Sequence, residues 1–322
     1  MVEDPRRNLR RHPAVKAWCQ LRPECLGPDK LEIMQWSVSG DIAVYWMGGV
    51  GPAGSAVIAK RCQRARALFE HAIYAEILPK APFTSLRSYG YLEEPEGEFC
   101  WLFLEDAGSE RYAPDIEEHR ALAARWLGLL HTYAAQNCMP TQFPDRGPNW
   151  YLEQLKSARE TMLPHRANPA LEDDHLATLE GVISQCDFLE SRWHDLERLC
   201  EGFATTLVHG DFVRKNVAVR TEISGIVLLP FDWEHSGWAV PAADLAHVDL
   251  ATYWSTVRAH WPNLEKSTLE RLANAGKIFQ LLNAFEWESY KIVAQRPNLA
   301  MQNYALYRTR MARAIEESAL GA

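Results

Sequence analysis

The chain has 322 residues, 47% hydrophobic and 24% charged, with a formal net charge of −8. That is an ordinary globular balance, long enough for one large domain or for two lobes that each bury a core. Its longest apolar runs, such as 225–233, are too short to span a bilayer, and its acidic balance argues against a nucleic-acid partner.

Residues 1–12 are charged and lack the apolar stretch of a signal peptide, so a cytoplasmic location is expected. The seven cysteines, Cys19, Cys25, Cys62, Cys100, Cys138, Cys186 and Cys200, form no CxxC pair and are odd in number. Reduced thiols are therefore expected, rather than a disulfide framework or a structural zinc site.

The first hundred residues read as strand-rich. Residues 31–39 and 42–47 are apolar, β-branched or aromatic runs parted by Gly40-Asp41, a turn dipeptide. Residues 48–54 are a glycine-rich loop leading to a third strand over 55–60. Within it, Gly49 to Gly54 spell GxGxxG, but a dinucleotide fingerprint needs a helix directly afterwards. A strand follows instead, so the segment reads as a hairpin turn between strands two and three. Leu68, Ala72, Tyr74, Ala75 and Leu78 recur at helical spacing, which predicts a helix over 64–78 stopped by Pro79. Two further strands follow, at 89–92 and 99–105.

Beyond Asp106-Ala107-Gly108 the pattern turns helical. Asp115 is the expected N-cap of a helix reaching about Gln136, and Asn149 that of a helix over 150–162. Helical patterning resumes over 171–200. Strand character returns at 217–219 and 226–232, and 244–319 is again mostly helical. The fold expected is α+β: an antiparallel-sheet lobe with one helix over residues 1–105, then a larger, mainly helical lobe over 106–322.

The informative segment is His209-Gly210-Asp211-Phe212-Val213-Arg214-Lys215-Asn216, followed by Phe231-Asp232-Trp233-Glu234. It reads as strand, polar loop, short strand, turn at Ser224-Gly225, strand, acid. Such a hairpin gathers Asp211, Asn216 and Asp232 at one end. Two carboxylates and an amide oxygen make a hard oxygen set suited to Mg²⁺ held together with substrate phosphates, with one carboxylate left to face an acceptor hydroxyl.

These residues resemble the aminoglycoside phosphotransferase and choline-kinase-like family, whose signature is HGDxxxxN followed by a strand ending in D-W-E. With the supporting positions, the resemblance extends over about residues 31–250. It implies the two-lobed fold shared with protein kinases, and an ATP- and Mg²⁺-dependent kinase acting on a hydroxyl of a small molecule. Asp211 looks like the catalytic carboxylate, and Asn216 and Asp232 like the Mg²⁺ ligands. Lys60 resembles the third-strand lysine that neutralises phosphates, with Glu70 as its ion-pair partner and Glu76 as the rival. Ser39 and Gly40 are placed to cover phosphates, and Glu105 lies where the lobes join and adenine would sit. Asp244, in Asp-Leu-Ala, matches a structural anchor beneath the catalytic loop, and His131 and His209 match structural histidines. One departure is Val213, where protein kinases carry a lysine; Arg214 or Lys215 is the alternative contact for transferring phosphate.

Acceptor identity is less legible. Glu234, Asp249, Trp254 and Trp287, with Trp261, Glu286 and Glu288, are candidates for a pocket of acids and aromatics that suits a cationic amine. The alternative is that these aromatics fill the core and the acids are solvated. An aminoglycoside or other antibiotic, choline or another amino alcohol, homoserine and a sugar all remain open, as do ATP against GTP and monomer against dimer. The chain lacks the HRD, DFG and APE segments of a protein kinase. A non-catalytic nucleotide-binding pseudokinase is the reading from another class, although Lys60, Asp211, Asn216 and Asp232 are all present.

Overall fold

The computed structural model describes residues 9–320 except 26, 37–40, 139–140, 142, 224 and 294–296. The chain folds into two compact units. One comprises Met1–Tyr112 with Val213–Glu234, the other Ala113–Phe212 with His235–Ala322. A single crossing near residue 105 was expected from sequence; the hairpin after the HGD loop instead belongs with the sheet unit.

Helix α1 (Pro13–Leu21) opens the first unit. Pro13 takes the first helical position, where its missing N–H costs nothing, and His12 caps the helix by accepting from Ala14 N at 3.2 Å. Its apolar face, Ala14, Val15, Ala17 and Trp18, packs on Tyr45, Trp101 and Phe103 of the sheet. This helix carries little sequence signal, because nine residues offer only two turns of periodicity.

Strands β1 (Lys30–Trp36), β2 (Ala43–Gly48), β3 (Val57–Gln63), β4 (Ser88–Glu93) and β5 (Phe99–Glu105) form one antiparallel sheet in the order β1-β2-β3-β5-β4. The GxGxxG segment is the β2–β3 hairpin loop, closed by Gly51 N donating to Ser55 O at 2.8 Å. Side chains alternate across β3. Val57 and Ala59 join the α1 core, while Cys62 faces Ala67 of helix α2 (Arg64–Ala72) on the other side. The predicted helix to Leu78 changes pitch: a wider π turn occupies Ile73–Ile77 and a tight turn Leu78–Lys80.

The second unit is built from α3 (Glu117–Asn137), α4 (Pro148–Met162), α5 (Asp173–Ser191), α6 (Trp193–Leu199) and β6 (Thr206–Val208). The chain then visits the first unit for β7 (Val217–Glu222) and β8 (Gly225–Pro230). It returns for β9 (Gly237–Ala239), which pairs with β6, and for α7 (Ala242–Leu245), α8 (Leu250–Val257), α9 (Lys266–Val293) and α10 (Pro297–Glu317). Two caps differ from expectation. Ile116, not Asp115, precedes α3, and Gly147, not Asn149, precedes α4, with Pro148 at its first position. All seven cysteines are free thiols. Among the described residues no helix is long and apolar enough to cross a membrane.

Candidate active site

The sheet unit holds a cluster of buried charges. Lys60 lies on β3 with its side chain pointing to the α2 face, two residues from Cys62. Its ammonium is ion-paired with Glu70, one turn from Ala67 on α2, and with Asp232 Oδ1 at 2.6 Å. Glu70 is fully buried and Lys60 nearly so. Glu76 falls on the π turn and is exposed. A second cation joins this group: Arg66 Nη1 lies 2.6 Å from Glu234 Oε2. Arg66 stands four residues before Glu70 on α2, a spacing that puts both on one helix face, and it was missed from sequence.

The β7–β8 hairpin delivers the acids. Val217 pairs with Pro230, and Phe231 N donates to Asn216 O at 2.9 Å, so Asn216 and Asp232 stand at the same end of the hairpin. Asp232 has φ +66, a left-handed conformation costly for most side chains but tolerated by Asp. Strain of this kind concentrates at functional sites. The hairpin is tied to its own unit by Tyr112 N donating to Val217 O and Val219 N to Glu110 O, each at 3.0 Å. Glu105 is engaged locally, accepting from Arg220 Nη1 at 2.5 Å and from Arg87 N at 3.1 Å. Ser39 and Gly40 lie outside the described residues. Arg214 and Lys215 are exposed on the short turn before Asn216.

Electrostatics follow from this crowding. Burial works against the charge of Lys60, but Asp232, Glu70 and Glu234 outweigh it and hold the ammonium well above its ordinary pKa. Burial pushes Glu70 up to about 7; Lys60 pulls the other way, and Asp232 and Glu234 add to the rise. Between about pH 4.5 and 7 the folded chain thus keeps a proton that the unfolded chain has released, so stability falls with rising pH across that window. Relative to Glu70→Gln, the wild-type melting temperature is expected to decline from pH 5 to 7.5; parallel curves for the two proteins would rule the linkage out.

In the second unit, the HGD loop is braced through its backbone. Asp244 Oδ2 accepts from His209 N at 2.8 Å and Oδ1 from Gly210 N at 2.9 Å, while Ser236 Oγ donates to His209 O at 3.2 Å. Gly210 adopts φ +78, and a Cβ there would overlap the His235 carbonyl oxygen. Asp211 follows, partly exposed, and the buried Phe212 ring packs near His209 and Trp126.

The acceptor candidates fall in different surroundings. Asp249 caps α8, accepting from Thr252 N at 2.6 Å. Trp254 donates to Leu264 O at 3.0 Å, and Arg258 and Lys266 both sit 5.0 Å from the centre of its ring. Glu234 carries the ion pair with Arg66 in the first unit. Trp287 is 48% exposed, and its neighbour Glu286 is half-buried, accepts from Tyr290 Oη at 3.0 Å and has its pKa raised chiefly by burial. Glu288 is buried and paired with Lys291 at 2.6 Å.

For a divalent cation, the hairpin offers one carboxylate and one amide oxygen. Among the described residues no cluster of three or more His, Cys, Asp or Glu side chains forms a metal cage. The Asp232 and Asn216 donors fit magnesium, a hard ion commonly bound through one or two protein oxygens and shared with phosphates.

The profile of the phosphotransferase enzyme family matches residues 41–290. No curated protein gives a significant match. Among solved structures, the GDP and kanamycin complex of APH(2")-IIIa is similar at TM-score 0.62 and 12% identity, covering 92% of this chain and 98% of that one. A choline kinase from Cryptosporidium parvum Iowa II is similar at 0.58 and 12%, covering 92% and 93%. A microcompartment-associated aminopropanol kinase is similar at 0.61 and 14%, covering 94% and 97%. At these identities the structures establish the kinase-like fold. The sequence match runs from just before β2 almost to the end of α9, and on it this chain belongs to the phosphotransferase enzyme family, whose members are small-molecule kinases acting on hydroxyl groups.

Proposed function

We propose that the protein transfers the γ-phosphoryl group of ATP, with magnesium, to a hydroxyl of a small cationic molecule. The observation that supports this most directly is Lys60, buried and charged between Glu70 and Asp232. A lysine ammonium held this way is a fixed positive charge for nucleotide phosphates, and Glu70 keeps it aimed. The chemistry magnesium supplies when bound is neutralisation of the triphosphate's charge, and Asp232 and Asn216 are the residues that would hold it. Asp211 orients the acceptor hydroxyl and takes its proton. Phosphoryl transfer passes through a loose transition state, so alignment and charge neutralisation suffice without a protein nucleophile. Ser39, Gly40 and Glu105 complete the proposed nucleotide contacts.

For the acceptor, kanamycin, bound in one similar structure, and the choline and aminopropanol after which two similar kinases are named all carry a cationic nitrogen. Glu286 and the exposed ring of Trp287 offer charge pairing and a cation–π face for such a group. Glu234 is committed to the Arg66 ion pair, Asp249 to the α8 cap and the Trp254 ring to Arg258 and Lys266, so they are the weaker members of the set, whereas Tyr290 meets Glu286 through a neutral hydroxyl. An antibiotic or an amino alcohol therefore ranks above a sugar. A cytoplasmic enzyme, monomeric or dimeric, fits this reading. The test is consumption of ATP and of GTP with Mg²⁺ across aminoglycosides, macrolides, amino alcohols, homoserine, sugars and nucleosides. Turnover restricted to cationic acceptors is the expected outcome, and no turnover with any hydroxylated compound would refute phosphotransfer.

A further inference from the structure

The second unit contains a buried polar chain that ends on the HGD loop. Tyr253, on α8, and His131, on α3, are both fully buried. Tyr253 Oη lies 2.8 Å from His131 Nδ1, and His131 Nε2 lies 3.2 Å from Asp244 Oδ2. Asp244 in turn accepts the backbone N–H groups of His209 and Gly210.

Donor and acceptor logic fixes the direction. Asp244 is buried, yet its bonds to His131 and to the His209 N–H, and the charges of His131 and His209, outweigh burial and hold its pKa below the usual value. It is therefore an ionised, acceptor-only group, and His131 must carry hydrogen on Nε2. Nδ1 faces the Tyr253 hydroxyl, which can accept from it in the imidazolium or donate to it in the neutral ring, so in either state this contact fixes the ring with Nε2–H on Asp244. Burial and nearby Asp244 keep that hydroxyl protonated. The surrounding framework is set independently. Thr206 Oγ1 donates to His131 O at 2.7 Å, Asp249 caps α8 four residues before Tyr253, and α8 approaches α3 closely enough that a Cβ on Gly128 would lie 2.8 Å from Thr256 Cγ2.

We propose that Tyr253 is a positioning residue for Asp211: by fixing the His131 ring with Nε2–H on Asp244 it keeps both oxygens of Asp244 on the loop backbone and so aims the carboxylate of the residue that follows Gly210. Without the tyrosine hydroxyl, the buried Nδ1 loses its partner and the ring gains a reason to turn. Asp244 then loses the Nε2–H contact, and the peptide after His209 loses its anchor. This rests on the phosphotransfer reading for its catalytic consequence, but not for its structural one.

The test compares Tyr253→Phe, His131→Gln and the double variant. Phe keeps the ring volume, and Gln Nε2 retains a donor toward Asp244. With MgATP and a cationic acceptor, Tyr253→Phe should lower kcat by about ten- to hundredfold, because small misplacements of a reacting group are costly, while the KM for MgATP stays unchanged. Since both substitutions break one chain, the double variant should be no slower than the slower single. Full kcat in Tyr253→Phe, or additive losses, would overturn the proposal. If the wild type turns over no acceptor, the phosphotransfer reading has failed, and the positioning role is read from amide exchange instead. Faster exchange at His209 and Gly210 in Tyr253→Phe supports it; unchanged exchange overturns it.

Discussion

Asp211→Asn is expected to lower kcat by about 10²- to 10⁴-fold, the range for losing a positioned proton acceptor, with nucleotide affinity retained. Asparagine has the shape of aspartate, so the loop should stand. Its placement depends on His209 and Gly210, whose peptide groups are held by Asp244 and Ser236, and on Phe212, buried between His209 and Trp126. The amide cannot accept a proton, so the loss falls on the chemical step. Steady-state kinetics with the best acceptor, beside calorimetric titration with MgATP, separates the two effects. A kcat within about threefold of wild type would show that Asp211 is not the acceptor of the proton; a parallel collapse of nucleotide affinity would make it a binding residue instead.

What could be read from the chain divides by the kind of information involved. The HGD loop, Asn216 and the D-W-E that follows β8 were legible because they are contiguous motifs whose chemistry demands fixed residue types. Lys60 and Glu70 were legible through the family resemblance, with Glu76 as the rival, and the structure pairs Lys60 with Glu70. The acids of the helical unit were less so. Asp249 as an N-cap and Glu286 as a half-buried carboxylate are similar letters in similar patterns, and only the backbone distinguishes them: one is followed by a helix whose free N–H groups it satisfies. The same limit hid the Tyr253–His131 contact, which joins residues 122 positions apart. Two capping assignments failed for a related reason. Asp115 and Asn149 are good caps by type, but Pro148 fixes the start of α4 two residues earlier, and α3 begins after Ile116 with acidic residues in its first turn taking over the favourable interaction with the helix dipole.

Gly276→Ala should destabilise the fold by about 4–5 kcal/mol, the upper end for single substitutions. In the middle of a helix this exchange ordinarily stabilises by up to about 1 kcal/mol, because glycine is the poorer helix former. Here the sign reverses. A Cβ at position 276 would overlap the carbonyl oxygen of Ala242, with the carbonyl carbon at 2.5 Å and Ala243 N at 3.1 Å. These are backbone atoms of α7, so no rotamer change relieves the clash; α9 and α7 must move apart. The separation also strains the bond from Gln280 Nε2 to Ala243 O, 2.8 Å in the native packing. Because α7 carries Asp244, whose carboxylate holds the HGD loop, the damage should reach turnover as well as stability. Gly202→Ala is the control: its φ of +84 is strained for alanine, but no atom lies within 4 Å of the added methyl, so only a backbone penalty of about 1–2 kcal/mol applies. Urea unfolding of both variants measures the difference. A Gly276→Ala midpoint equal to that of Gly202→Ala would mean that the α7–α9 contact yields at little cost, and that Asp244 is not held by close helix packing.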